Sequence, residues 1–329
     1  MGRGGRTLVT GAGGFVGSHL VERLLSDGDT VRAFVRYTST GRAGWLDSVP
    51  ADRRDSIEIV SGDVRDDEAV TRAMVGVDRV FHLAALIGIP YSYLHPRDVV
   101  ETNVGGTLNV LIAARAAGVG RVVHASTSEV YGSARSVPID ESHALHAQSP
   151  YAASKIAAEK LVESFHASYD LPAVVLRPFN VYGPRQSARA VVPVVISQAI
   201  ARDEIRLGAG APTRDFNFVG DTVEAFVRAA RVPEAIGGVF NIGTGREISI
   251  ADMADLVIRL AGRRGQRLVT DDTRLRPAAS EVTRLCADNR RAREVLGWEP
   301  RTPLEEGLRM TIDWFSRRSL SDDPAAYAI

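Results

Sequence analysis

The 329-residue chain has a single cysteine, Cys286. That excludes an intramolecular disulfide and any metal cluster built on several thiolates. Neither sign of charge is in surplus, since 40 Lys and Arg balance 40 Asp and Glu. Such a balance does not suit a chain that coats nucleic acid or stays unfolded by self-repulsion. Long hydrophobic runs are missing as well. The longest apolar stretches, Val191–Ile200 among them, are interrupted by residues such as Pro193 and fall short of the roughly 20 residues a membrane helix needs. There is no internal repeat, low-complexity tract or charge run. Met1 to Arg6 leads straight into Leu8-Val9 with no signal-peptide core or cleavage site, and Arg6 breaks the myristoylation pattern. These absences lead us to expect a soluble cytoplasmic enzyme with no membrane or nucleic-acid partner.

What is present is 45% hydrophobic residues spread along the whole length. Short β-branched runs at Thr7–Thr10, Thr30–Val35, Ile57–Ser61, Arg79–Leu83, Arg121–Ser126 and Ala173–Arg177 alternate with amphipathic segments. This alternation, at spacings of roughly 20 to 40 residues, suits right-handed crossovers between parallel strands. The expected fold is α/β, a Rossmann-type doubly wound parallel sheet with helices on both faces. After Pro178 the pattern loosens, then returns to a helix at Asp221–Arg231 and a strand at Val239–Ile242. We therefore expect a dinucleotide-binding domain from residues 1–179 and 216–244, and a smaller, discontinuous lobe from 180–215 and 245–316. Residues 317–329 read as a polar tail.

Thr7-Leu8-Val9-Thr10 runs into Gly11-Ala12-Gly13-Gly14-Phe15-Val16-Gly17 and then the helical pattern Ser18–Leu25. A glycine-rich turn from strand to helix lets backbone amides approach a pyrophosphate at the positive helix end. Gly11, Gly14, Phe15, Val16 and Gly17 are the candidate cradle. At the end of the second strand an acid normally accepts the adenosine 2′-hydroxyl and selects NAD. Here Val35-Arg36-Tyr37-Thr38-Ser39 offers a cation and hydroxyls instead. NADP is thus favoured over NAD, with Arg36 reading the 2′-phosphate; the alternative is a loop arginine stacked on adenine. Asp63 and Val64 would flank the adenine, and Leu83, Ala84 and Ala85 would let the cofactor pass close to the backbone.

Tyr151 and Lys155 lie four residues apart in the helical run Ala152–Ser168 and so share a face. A phenol with an ordinary pKa of about 10 becomes a usable base when a nearby cation stabilises the phenolate. Lys155 is expected to do this while also holding the nicotinamide ribose. Upstream, Ala125-Ser126-Thr127-Ser128-Glu129-Val130-Tyr131-Gly132 stands at the C-terminal end of a strand, where open α/β sheets place their sites. The Thr127 hydroxyl there could polarise an oxygen being oxidised.

Gly11–Gly17, His82–Ala85, Ser126–Gly132, Tyr151–Lys155, Arg177–Pro184, Arg214–Phe216 and Asn241–Gly245 jointly resemble the extended short-chain dehydrogenases that act on nucleotide sugars. The likeness covers nearly the entire chain. It implies a tightly held NADP or NAD that takes a hydride from sugar C4 and later returns it. By the same likeness Asn103, Pro178 and Val181 join the cofactor site. The partner implied by the likeness is a nucleotide diphosphate sugar. A homodimer through the helices Val99–Ala117 and Ile156–Phe165 is also implied.

Glu129 bears on which reaction is run. The 4-epimerases of this family resemble one another in having a small or neutral residue here. A carboxylate can remove the C5 proton that a C4 ketone has made acidic, after which the C6 hydroxyl is eliminated. Thr127-Ser128-Glu129 is similar to the triplet of GDP-mannose 4,6-dehydratases, with Glu129 serving as both base and acid. UDP-glucuronate decarboxylases share that triplet, and a loop carboxylate capping local backbone is the plainer alternative. Phe81–Tyr93, Arg185–Val191, Leu275-Arg276-Pro277 and Ser280-Glu281-Val282 are similar to the N-acetylglucosamine 4,6-dehydratases of legionaminic acid biosynthesis. The expectation is therefore an NDP-GlcNAc 4,6-dehydratase. A 4-epimerase, a decarboxylase, a 5,6-dehydratase and a catalytically silent NAD(P)-sensing protein stand as alternatives.

On the substrate side, guanidinium forks suit two phosphates. Arg214 and Arg276 fall at the family's phosphate positions, with Arg189 and Arg185 as further candidates. Asn180, Tyr91, Ser92 and Val192 are expected around the sugar and nucleotide. His143 and His146 stand beside Asp140 and Glu141, but no helical pattern aims them, and no metal is expected. Trp298, Trp314 and Phe315 read as lobe packing.

Overall fold

In the computed structural model, which describes residues 5–54, 56–263 and 265–317, the β-branched runs become strands. Those inside the sheet are buried along nearly their whole length and must be covered from both sides, whereas the edge run Ile57–Gly62 is largely exposed or half-buried. The strands are β1 (Arg6–Thr10), β2 (Thr30–Arg36), β3 (Ile57–Gly62), β4 (Arg79–His82), β5 (Arg121–Ala125), β6 (Ala173–Pro178), β7 (Val181–Tyr182), β8 (Glu204–Leu207), β9 (Thr213–Arg214), β10 (Asn217–Phe218), β11 (Val239–Ile242), β12 (Ile248–Ser249) and β13 (Arg267–Thr270). Seven of them form one sheet in the order β11-β6-β5-β4-β1-β2-β3, with every pair parallel. Leu8 pairs with Val80 and Val80 with Val122, and these side chains join Val70, Val110 and Val175 in one core. Their neighbours Val9, Phe81 and Val123 join Leu20, Leu24 and Val223 in the other. This is the expected doubly wound fold. Strand order reverses at β1, which lies between β2 and β4, and that reversal opens a crevice at the strands' C-terminal ends.

Helices Phe15–Ser26, Asp67–Met74, Gly106–Ala116, Pro150–Tyr169 and Val219–Arg231 flank the sheet. The tyrosine-bearing helix starts at Pro150 because Ser149 caps it, its hydroxyl oxygen accepting from the Ala152 amide at 3.1 Å; proline suits the first helical turn. Residues 180–215 and 245–316 add the helices Val191–Ala201, Ile250–Leu260 and Leu304–Ser316 and the pairs β8·β13 and β9·β12. Ile250, Val257, Leu308 and Phe315 belong to the same continuous apolar cluster as Val9 and Leu20, so no solvent layer separates the two parts. Trp298 is buried, and its indole N–H donates to the Asp221 carbonyl at 2.8 Å. Apart from Arg317, the polar tail lies outside the described residues. Among those described, no helix is long and apolar enough to cross a membrane.

Candidate active site

The crevice is a cavity of about 980 Å³. Its glycine-rich wall depends on Gly11, which sits at φ +70. A Cβ there would collide with the backbone of Leu83 and Ala84, so only glycine lets the first loop lie against the β4 exit. Gly11, Gly14, Phe15, Val16 and Gly17 line the cavity, as do Arg36, Asp63, Val64, Leu83, Ala84 and Ala85. Helix Phe15–Ser26 begins at Gly14 with no side-chain cap and no acid in its first turn. Its first amides are available to an anion, so the cradle fits a dinucleotide pyrophosphate. Arg36 is exposed. Asp63 accepts from Arg65 at 2.7 and 3.0 Å, which holds its carboxyl below the usual range.

Thr127, Ser128, Glu129, Tyr151 and Lys155 line the same cavity. Thr127 caps the short turn Ser128–Tyr131, its hydroxyl oxygen accepting from the Glu129 amide at 3.3 Å, so sequence neighbours fix the carboxylate's place. Lys155 is buried and donates from Nζ to the Ala125 carbonyl at 2.6 Å. Burial pulls its pKa down to about 8, against the pull of Glu159. The phenol of Tyr151 is pushed well above its ordinary value, first by burial and then by the charge of Glu129, with the Thr127 hydrogen bond opposing. The Lys155 ammonium is thus engaged with a backbone carbonyl, and burial is the largest influence on the Tyr151 phenol.

Four residues beyond Lys155, Glu159 is fully buried and paired with Arg177 of β6, at 2.6 Å from Nη2 and 3.0 Å from Nε. The Ser126 hydroxyl also donates to Glu159. Arg177 donates to the Tyr131 hydroxyl at 2.8 Å, and that hydroxyl donates to Asn241 at 2.7 Å. These contacts tie the Ser126–Gly132 segment to the helix that carries Tyr151.

At the other end stand Arg214 and Arg276. Arg214 is buried, 3.2 Å from Glu281, and burial lowers its pKa while Glu129 opposes. The next residue, Asp215, accepts from the amides of Thr244, Gly245 and Ala287 at 2.8 to 3.0 Å, which anchors this part of the chain. Arg276 Nη1 lies 3.9 Å from Glu129 and is buried without a hydrogen-bond partner, as is Asn180 Oδ1. Buried polar atoms left in that state suit an anionic, hydroxyl-rich ligand. Tyr91, Pro178, Asn180, Val181, Arg189 and Val192 also line the cavity.

Three expected residues do not line it. Asn103 sits behind the wall in a widened turn, Glu101–Gly105. Its side chain accepts from Leu86 N at 2.8 Å and donates to Leu86 O at 3.0 Å and Ser154 Oγ at 2.9 Å, so it braces the cavity through others. Arg185 turns to Glu22 at 2.8 Å, and Ser92 is buried, donating to the Ile89 carbonyl at 2.7 Å. Glu281, Arg274 and Arg42 line the cavity without having been singled out as site residues. No motif spacing links Glu281 to Arg214, which only the fold brings together. The His143 ring packs against Tyr131 with centroids 5.6 Å apart. Among the described residues, no group of three or more His, Cys, Asp and Glu is placed to hold a metal.

Residues 8–311 match the family described as GDP-mannose 4,6 dehydratase. A UDP-glucose 4-epimerase of Mycolicibacterium smegmatis is 40% identical, with 95% of this chain and 99% of that protein covered. A dTDP-D-glucose 4,6-dehydratase of Mus musculus is 31% identical, covering 95% of this chain and 89% of its own. Among solved structures, DesIV, a dTDP-glucose 4,6-dehydratase from Streptomyces venezuelae with NAD and TYD bound, is similar with a TM-score of 0.86 and 32% identity. That match covers 94% of this chain and 97% of DesIV.

Proposed function

Because the chain belongs to the GDP-mannose 4,6-dehydratase family, whose relatives include NAD-dependent nucleotide-sugar dehydratases and epimerases, we propose that it is a nucleotide-sugar 4,6-dehydratase. The observation that carries this reading is Glu129, a cavity carboxylate coupled electrostatically to Tyr151 and lying 3.9 Å from Arg276. The nicotinamide group, when bound, supplies a hydride acceptor that later gives the hydride back. Gly11–Gly17 would hold the pyrophosphate of its dinucleotide, Asp63 and Val64 the adenine, and Lys155 the nicotinamide ribose. Tyr151 takes the proton of the C4 hydroxyl while Thr127 hydrogen-bonds the reacting oxygen. Glu129 then takes the C5 proton and gives it to the departing C6 hydroxyl, so water leaves; with the hydride returned at C6, C5 would be reprotonated from solvent, which offsets the proton that Tyr151 took. Arg214 and Arg276 bind the diphosphate. In this reading residues 1–179 and 216–244 serve the dinucleotide, and residues 180–215 and 245–316 serve the nucleotide sugar.

The likeness at Phe81–Tyr93 and Arg185–Val191 supports a GlcNAc nucleotide as substrate. The Mycolicibacterium relative favours 4-epimerisation as the second reading. Mass spectrometry of UDP-, GDP-, CDP- and dTDP-sugars incubated with the protein separates the outcomes. Loss of one water supports the proposal, whereas an isomer of unchanged mass or loss of carbon dioxide overturns it. We propose NADP as the preferred cofactor because Arg36 stands where the ribose-binding acid is absent. NAD alone among the nucleotides released on denaturation would refute that, in line with the NAD in DesIV. We also propose a homodimer, supported by exposed Val100 and Ile112 in the segment Val99–Ala117. Light scattering at the mass of one chain would exclude it.

A further inference from the structure

After β2 the chain leaves the sheet at Arg36 and returns across the glycine-rich loop. The return is a backbone-to-backbone approach. A Cβ on Gly13 would overlap the Ala43 carbonyl, and one on Gly44 would overlap the Gly13 carbonyl. The Trp45 amide donates to the Gly13 carbonyl at 3.0 Å. Thr38, Arg42, Ala43 and Gly44 therefore line the same cavity as Gly11 and Gly14 and form a wall beside the pyrophosphate cradle.

That wall is held from outside the site. Leu46 and Val49 plug it into the core, and Asp47 closes the turn on the Ala43 amide at 3.1 Å. The Trp45 ring meets Trp314 edge to face, with centroids 5.4 Å apart at 72°. Trp314 lies in helix Leu304–Ser316 and packs in turn on Phe315 at 4.8 Å, itself a core residue. Of the chain's three tryptophans, two thus join the loop against the phosphate cradle to the far end of the polypeptide.

We propose that Trp45 and Trp314 form a clasp that holds the 37–48 segment against the glycine-rich loop and sets how long the dinucleotide stays bound. Trp314 is a positioning residue: it acts through Trp45 and does not line the cavity. The proposal rests on the reading of this cavity as a dinucleotide site. A cofactor that is reduced and reoxidised within one turnover gains nothing by leaving, and a wall packed on its cradle must open before it can. Dissociation then scales with the population of the opened wall, and loosening the clasp raises that population without touching Thr127, Tyr151 or Lys155. An aromatic pair of this geometry is worth up to about ten-fold in such an equilibrium.

The test uses the full chain purified with its own dinucleotide, chased with an excess of a fluorescent etheno-dinucleotide. Trp314→Ala is expected to release the bound cofactor about ten-fold faster and to raise the KM for added dinucleotide by a similar factor, with kcat at saturation unchanged. Trp314→Phe, which keeps an edge-to-face partner, is expected to restore release to within about two-fold of the parent protein. Should Trp314→Ala fail to fold, Trp45→Ala in the surface turn carries the same expectation. Release at the parental rate in the alanine variants, or equally fast release from the alanine and phenylalanine variants, overturns the clasp. Because the chase needs no sugar, fast release with no dehydration of any substrate would sustain the clasp and sink the dehydratase reading. A parent protein that binds no dinucleotide would sink both.

Discussion

Glu129 separates the two halves of the proposed reaction. Oxidation at C4 draws on Tyr151, Thr127 and Lys155, whereas elimination needs a base aimed at C5. Glu129→Gln keeps the size of the side chain and cannot take that proton. The variant is expected to accumulate reduced cofactor and 4-keto sugar while losing water more slowly by about 10²-fold or more, the usual scale for a positioned acid–base group. Stopped-flow absorbance of the reduced nicotinamide with product mass would follow both halves, and unchanged turnover would remove Glu129 from the chemistry. Lys155 yields a prediction of opposite sign for stability. Its ammonium is buried and holds its proton only to about pH 8, whereas the unfolded chain holds it to about 10.5. Between those values the unfolded state binds more protons, so this residue's contribution to stability improves as pH rises there and is a constant cost below about pH 8. Lys155→Met should therefore lose hydride transfer yet be more stable at pH 7, on the order of 1–3 kcal/mol at about 1.4 kcal/mol per ten-fold in proton affinity. That gain should shrink as pH climbs toward 10.5. Urea titrations at neutral and alkaline pH read it, and a destabilised variant at pH 7 would mean that the Ala125 and Glu159 contacts outweigh burial. Thr127, Glu129, Tyr151 and Lys155 were legible as residues because each lies in a contiguous motif. Their partners were not: Arg276 beside Glu129, and Glu281 beside Arg214, are brought together by tertiary structure alone.

Among elements, helix Pro150–Tyr169 does the most positioning. Tyr151, Lys155 and Glu159 recur every four residues, so one inward stripe carries the proposed base, the ammonium and the anchor. Glu159 is fully buried against Arg177, and removing one partner of a buried pair leaves the other charge uncompensated. Glu159→Ala is expected to cost about 3–5 kcal/mol of unfolding free energy, read as a shift in the urea midpoint, and to loosen Ser126–Gly132. A loss below about 1 kcal/mol would place Glu159 with exposed ion pairs and not with anchors. This helix was legible because its pattern extends over 20 residues, and β1 to β6 because short β-branched runs alternate with helical segments. The sequence did not announce β7, β9, β10 or β12, which are two residues each and too short to show any period. The turn Gly44–Ser48 was also silent, since the contacts of Trp45 with the Gly13 carbonyl and the Trp314 ring are tertiary. The widened turn at Asn103 interrupts an otherwise ordinary helical pattern, and side-chain hydrogen bonds to Leu86 and Ser154, not local propensity, accompany it there.

In the whole molecule, a continuous apolar cluster runs from Val9 and Leu20 to Ile250, Val257 and Leu308 of the part formed by residues 180–215 and 245–316. The cavity lies where these parts meet, with Gly11 and Lys155 lining it from one and Arg214 and Arg276 from the other. Packing of this kind predicts one cooperative unfolding transition, with near- and far-ultraviolet circular dichroism melting together. Both ligands should then stabilise the molecule as a unit, by about 2.7 kcal/mol at a hundred times the dissociation constant of either. The arginines distinguish the two ligands. A charge-assisted hydrogen bond is worth about 1.5–3 kcal/mol, so Arg214→Ala and Arg276→Ala should each weaken a nucleoside diphosphate by more than about ten-fold. At a fixed ligand concentration, each variant should show a markedly smaller rise in melting temperature with the nucleoside diphosphate and the full rise with the dinucleotide. An undiminished rise with nucleoside diphosphate in both variants would take these residues out of the phosphate site. Loss of both rises together would mean that the arginines hold the two parts of the molecule in register, with Glu281 and Glu129 as their working partners in place of a substrate.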